Sequence, residues 1–175
     1  MKSRIVWIAA VGLWASSAIA QDVPREFVIA GEAAQKINGV RTINLATAER
    51  IAETCQRMAI GEEVRHSIMV LDLQGTPVYM DRMDGQGYLN TVTAEMKART
   101  ALLTGQPSKR AMNGVITDPA LEFENMQLGL YSNSGGLPIL VNGQMIGAIG
   151  VGGTPPRLPR WSDEICAHRA MREVL

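Results

Sequence analysis

The chain has 175 residues, with 17 basic and 17 acidic side chains and a formal net charge of zero. That balance gives nucleic acid no electrostatic handle, and a surface near neutrality offers little repulsion between copies of the chain. The composition gives no reason to expect nucleic acid and names no substrate.

Residues 1–20 read as a secretory signal peptide. Lys2 and Arg4 form the basic start, Ile5 to Ala15 the apolar run, and Ala18-Ile19-Ala20 a small-x-small cleavage site, which predicts a mature chain starting at Gln21 and a periplasmic or secreted location. The run is too short for a spanning helix, so no stable membrane span is expected after cleavage. Without Lys2 and Arg4 the net charge is near −2. What remains is enough for one domain with one core. Residues 21–42 read as a loosely docked arm with a short helix near Glu32 to Ile37.

From Asn44 the pattern becomes regular. Asn44 is a good cap, and Ala48, Ile51, Ala52, Cys55, Met58 and Ala59 recur at helical spacing up to about Gly61. Glu53 and Arg57 are placed to pair one turn apart. His66 to Leu73 and Thr76 to Met83 read as a hairpin turning through Asp72-Leu73-Gln74-Gly75, with Pro77 tolerated near a strand start. Leu89 to Leu103 is a second helix. Its alanines, Ala94, Ala98 and Ala101, allow close approach to a sheet, Glu95 and Arg99 can pair, and Gly105 and Pro107 end it.

Residues 108–133 predict only fragments, one helical turn over Lys109 to Met112 and a short helix or irregular wall over Leu121 to Leu130. Leu137 to Val141 and Gln144 to Val151 then form a second hairpin turning at Asn142-Gly143. Thr154-Pro155-Pro156-Arg157-Leu158-Pro159-Arg160 is too rich in proline for helix or central strand. Ser162 caps a last helix. The whole reads as α+β, a central antiparallel sheet of four or five strands flanked by helices. Cys55 and Cys166, 111 residues apart, either join in a disulfide, if their helices pack side by side, or are two separately buried thiols.

Three groups of residues, in this order, resemble the GlcG/HbpS-like family, also called DUF336 or haem-degrading. They are Val70 to Gly75 with Arg82-Met83-Asp84-Gly85, then Thr93 to Ala101, then Gly135-Gly136-Leu137-Pro138-Ile139 with Ile146 to Gly153 and Asp163-Glu164. The resemblance covers roughly residues 43–175, and it implies a sheet-and-helix domain, a homo-oligomer, and binding of haem or related tetrapyrroles. The chain departs from the family pattern in the insert Pro155 to Trp161.

The resemblance places Arg82, Asp84, Lys97 and Thr100 beside a cleft. Arg82 and Lys97 are expected to hold a carboxylate or haem propionate, with Asp84 neutralising one of them. Alternatively these residues form a structural bridge between hairpin and helix. Gly135, Gly136 and Gly147 are expected to floor the cleft, or else to serve tight packing. His66 and His168, the two histidines, are each candidates for a haem iron. The expected function is therefore an exported haem- or tetrapyrrole-binding protein holding a small planar, carboxylate-bearing ligand. The same cleft also suits a small-molecule isomerase, lyase or hydrolase, and a ligand-free accessory oligomer is the third reading.

Overall fold

The computed structural model describes residues 41–156, 158 and 160–175. The predicted signal peptide, the short helix near residue 32 and the arm up to residue 40 lie outside the described residues. Five helices and four strands follow in chain order: α1 Leu45–Gly61, β1 Ser67–Leu71, β2 Pro77–Arg82, α2 Tyr88–Thr104, α3 Lys109–Thr117, α4 Leu121–Gln127, β3 Gly136–Val141, β4 Gln144–Gly152 and α5 Asp163–Val174. The strands form one antiparallel sheet in the order β2-β1-β4-β3. The α+β expectation holds, with four strands.

Local chemistry accounts for the boundaries. Asn44 Oδ1 accepts from the Thr47 amide at 2.9 Å and Ser162 Oγ from the Ile165 amide at 3.1 Å, so both predicted caps form. Asn142 and Gly143 have φ of 52° and 77°, as a two-residue hairpin turn requires. Gly105 ends α2 in the left-handed region. Pro77 and Pro138 both lie on edge strands, where a missing ladder amide costs least.

The central strands β1 and β4 are covered on both faces. Ile68, Val70, Ile149 and Val151 point to a core shared with α1 and α5, which includes Ile51, Cys55, Cys166 and Ala170. Met69 and Leu71 point the other way, against Ala94 and Ala98 of α2. The predicted alanine face of α2 is the one that packs, while Met96 and Leu103 stay exposed. A Cβ on Gly150 would overlap the Ala94 carbonyl oxygen and stand 2.6 Å from the Ala98 amide nitrogen, so α2 lies directly on the backbone of β4.

Helices α1 and α5 pack side by side, and Cys55 and Cys166 are joined in a disulfide with their Cα atoms 5.2 Å apart. The alternative of two free thiols is thereby corrected. Closing a loop of about a hundred residues removes roughly 4–5 kcal/mol of unfolded-chain entropy in the simplest account. The same packing corrects a pair. Arg57 bridges to Glu173 of α5 at 2.5 Å rather than to Glu53, whereas the predicted Glu95–Arg99 pair forms at 2.7 Å. The segment after α2 is more helical than its residues announced, with α3 running nine residues to Thr117.

Candidate functional site

The polar centre of the molecule forms where α2, the end of β4 and the start of α5 meet. Lys97 sits on the packed face of α2 and is 4% exposed. Its Nζ donates to Asp163 Oδ2 at 2.7 Å and to the Val151 carbonyl at 3.1 Å. Asp163 Oδ1 accepts from the Thr154 amide at 2.9 Å and the Thr154 hydroxyl at 2.6 Å. A buried ammonium is tolerated only when it is paired and hydrogen-bonded, and both conditions are met. Asp163, not Asp84, is the neutralising carboxylate. It also opens α5, where the helix dipole favours negative charge.

His66 lies on the other side of Asp163, wholly buried, with Nδ1 3.5 Å from Asp163 Oδ1. Its Nε2 accepts from the indole N–H of Trp161 at 2.9 Å. Because an indole only donates, Nε2 carries the lone pair and the neutral ring carries its proton on Nδ1. The Arg169 guanidinium carbon lies over the Trp161 ring, 5.8 Å from its centroid. Trp161 is the last residue of the insert, so the insert is anchored in the core through this bond. His66 is therefore enclosed, with Nε2 already engaged by Trp161.

Burial holds the His66 pKa below the ordinary imidazole value, against the opposing pull of Asp163. A folded-state value below the unfolded one means the unfolded chain takes up the proton more readily. This group's contribution to stability is thus complete above about pH 6.5 and is lost as pH falls through the folded value. We expect the urea midpoint to drop between pH 7.5 and pH 5, and His66→Gln, which keeps an acceptor for Trp161, to flatten that slope. An identical slope in the variant would remove His66 from the account.

The remaining predicted residues separate into two sets. Gly135 and Gly136 do meet Lys97. A Cβ on Gly135 would lie 3.2 Å from Lys97 Cδ and 2.7 Å from Asp163 Cβ, and one on Gly136 would overlap the Lys97 carbonyl oxygen. Thr100 is buried one turn on, donating to the Met96 carbonyl and accepting from the Tyr131 amide at 2.7 Å, so it ties down the chain before β3. These contacts are between parts of the chain itself.

Arg82 and Asp84 are exposed at the other hairpin end, where Arg82 donates to the Gln86 carbonyl at 3.5 Å. Among the described residues they share no partner with Lys97. Gly147 is three residues along β4 from Gly150 and packs on Ile43 and the Leu71 carbonyl oxygen. The structure thus sets Lys97 in a closed polar core and Arg82 on an exposed turn. Ser108 is a further residue of this centre, with no mark in the sequence. Its hydroxyl accepts from the Gly136 amide at 2.8 Å and donates to the Asn133 carbonyl at 2.6 Å, locking the glycine pair. Two residue types with many structural uses, 28 positions apart, carry no readable signal.

Open space lies elsewhere. A groove of 420 Å³ runs between β3 and α5, walled by Pro138, Leu140, Val141 and Met171 and edged by His168 and Arg172. A second hollow of 400 Å³ separates the end of α2 from α3 and α4, with Arg110 at its side. Among the described residues no cluster of three His, Cys, Asp or Glu side chains could hold a bare metal ion, and no helix is long and apolar enough to cross a membrane.

The family model described as "Haem degrading protein HbpS-like" matches residues 43–172. The chain belongs to the HbpS-like family. A relative from Citrobacter freundii, an uncharacterized 15.0 kDa protein of the dhaT-dhaS intergenic region, is 30% identical over 122 residues, 67% of this chain and 84% of its own length. The crystal structure of HbpS superposes with a TM-score of 0.65 at 28% identity, over 77% of this chain and 90% of that one. The crystal structure of a PduOC:heme complex superposes with a TM-score of 0.66 over 75% of this chain and 94% of that one, and at 19% identity it speaks for the fold alone. The HbpS-like match takes in α1 through nearly all of α5, so Lys97, Asp163 and the groove beside α5 all lie within the shared domain.

Proposed function

We propose that this HbpS-like protein is exported and binds haem or a related tetrapyrrole. The observation that carries the reading is the HbpS-like match across residues 43–172. The basic and apolar residues at the start of the sequence support export. The groove beside α5 supports a ligand of this kind, since a concave, mostly apolar wall with a few polar groups is how such molecules are held. Bound haem would supply an iron centre and an absorbing macrocycle, and the chain's part is to enclose the disc and neutralise its acidic edge.

Haemin titrated into the mature protein is expected to give a saturable Soret band, and a flat titration would sink the reading. The mass of protein recovered from the periplasm or medium, expected to begin at Gln21, checks export, and an uncleaved chain retained in the cytoplasm would contradict it.

The same proposal includes a homo-oligomer. Helices α3 and α4 bury no residue, and Ile116, Phe123, Met126 and Leu128 are each 60–72% exposed. Apolar surface of that extent on one short segment marks an interaction face. Light scattering is expected to show an oligomer for the native chain and a lighter species for Phe123→Asp combined with Met126→Asp, with unchanged circular dichroism. A monomeric native chain would refute it.

A further inference from the structure

We propose that haem occupies the groove between β3 and α5, with His168 as the iron ligand and Arg172 as the partner of a propionate; this rests on the tetrapyrrole reading above and assigns its site. Of the two imidazoles, His66 is sealed in the core with Nε2 bonded to Trp161, whereas His168 is exposed on α5. Open space meets His168 on three sides. The groove of 420 Å³ lies toward β3, a hollow of 400 Å³ toward Met58 and Arg169, and one of 310 Å³ toward Pro107 and Leu137.

Arg172 follows His168 by four residues, which puts both side chains on one face of the helix about one turn apart. An iron ligand and an anion partner at that spacing suit a disc whose metal is central and whose carboxylates are at the rim. Among the described residues Glu173 pairs with Arg57 and Glu164 with Lys109, so neither of these two side chains is taken up by Arg172, and Leu175 lines the end of the same groove. The opposite wall is mostly apolar, Pro138, Leu140 and Val141 with Asn142 at the turn. Leu140 is 54% exposed on an edge strand that has no neighbour on its outer side among the described residues, a surface a macrocycle would cover. The groove's volume falls within the usual range for small-ligand sites. The donor set is a single imidazole, which haem iron accepts as a ligand.

The test is haemin titration of the full mature chain and three variants, followed by absorbance and by electron paramagnetic resonance of the ferric complex. The native chain is expected to show a histidine-ligated spectrum. His168→Ala should weaken binding at least tenfold. His168→Met should retain a complex whose Soret and resonance signals are those of a different axial ligand, a change that misfolding does not produce. Arg172→Met should weaken binding several-fold with the spectrum unmoved. A native chain that binds no haemin overturns the function itself. A native chain that binds, with affinity and spectrum unchanged in both His168 variants, overturns this site and leaves the function standing.

Discussion

Asp163→Ala is expected to cost at least about 3 kcal/mol of folding stability, read as a lower urea midpoint with an unchanged denaturant slope. The reason is the ammonium left behind. Lys97 has one other acceptor, the Val151 carbonyl, and almost no access to water. Removing one partner of a buried pair costs about 3–5 kcal/mol because the other charge remains buried and uncompensated. Asp163 keeps 13% of its side chain exposed, which places the expectation at the lower end of that range. Thr154 loses both of its contacts to the same carboxylate, loosening the start of the insert. Combining Asp163→Ala with Lys97→Met should restore part of the loss, since the stranded charge is then gone. A single variant that loses under about 1 kcal/mol would show that water screens the pair well, and the closed polar core described above would be wrong.

The second large effect is expected at Gly150. Gly150→Ala adds one methyl group where the backbone of α2 already lies. The new carbon would overlap the Ala94 carbonyl oxygen, and backbone, unlike the end of a side chain, cannot rotate aside. Overpacking commonly costs about 1–3 kcal/mol. With a helix on one side and a central strand on the other, about 3 kcal/mol or more is expected, or failure to fold. Gly61→Ala is the matched control, because nothing lies within 4 Å of that position and its φ is not positive. It should be neutral or slightly stabilising. Equal midpoints for the two variants would mean that α2 stands off the sheet.

Much of the fold was legible because it is local chemistry. Asn44, Ser162, the Asn142-Gly143 turn and the alanine face of α2 each state their role within a few residues. What stayed hidden depends on contacts between distant segments. Lys97 looked like a ligand clamp because a lysine on a helix gives no sign of burial, and Asp163 lies 66 residues away. The Cys55–Cys166 pairing depended on whether α1 and α5 are neighbours, which helical spacing cannot decide. The glycines of β3 and β4 signalled that something comes very close. They did not reveal that the something is α2 for Gly136 and Gly150 and the Leu71 carbonyl for Gly147. The groove beside His168 leaves no trace in the sequence around it, since its other wall is β3, which approaches through the sheet.

The bond from Trp161 to His66 has a practical consequence. Residues 21–175 contain one tryptophan, so a chain cleaved as proposed would owe its tryptophan fluorescence to a single indole bonded to His66. Excitation near 295 nm would watch the insert leave the core during acid titration or unfolding without any label, and energy transfer to a bound chromophore would be read from the same known position.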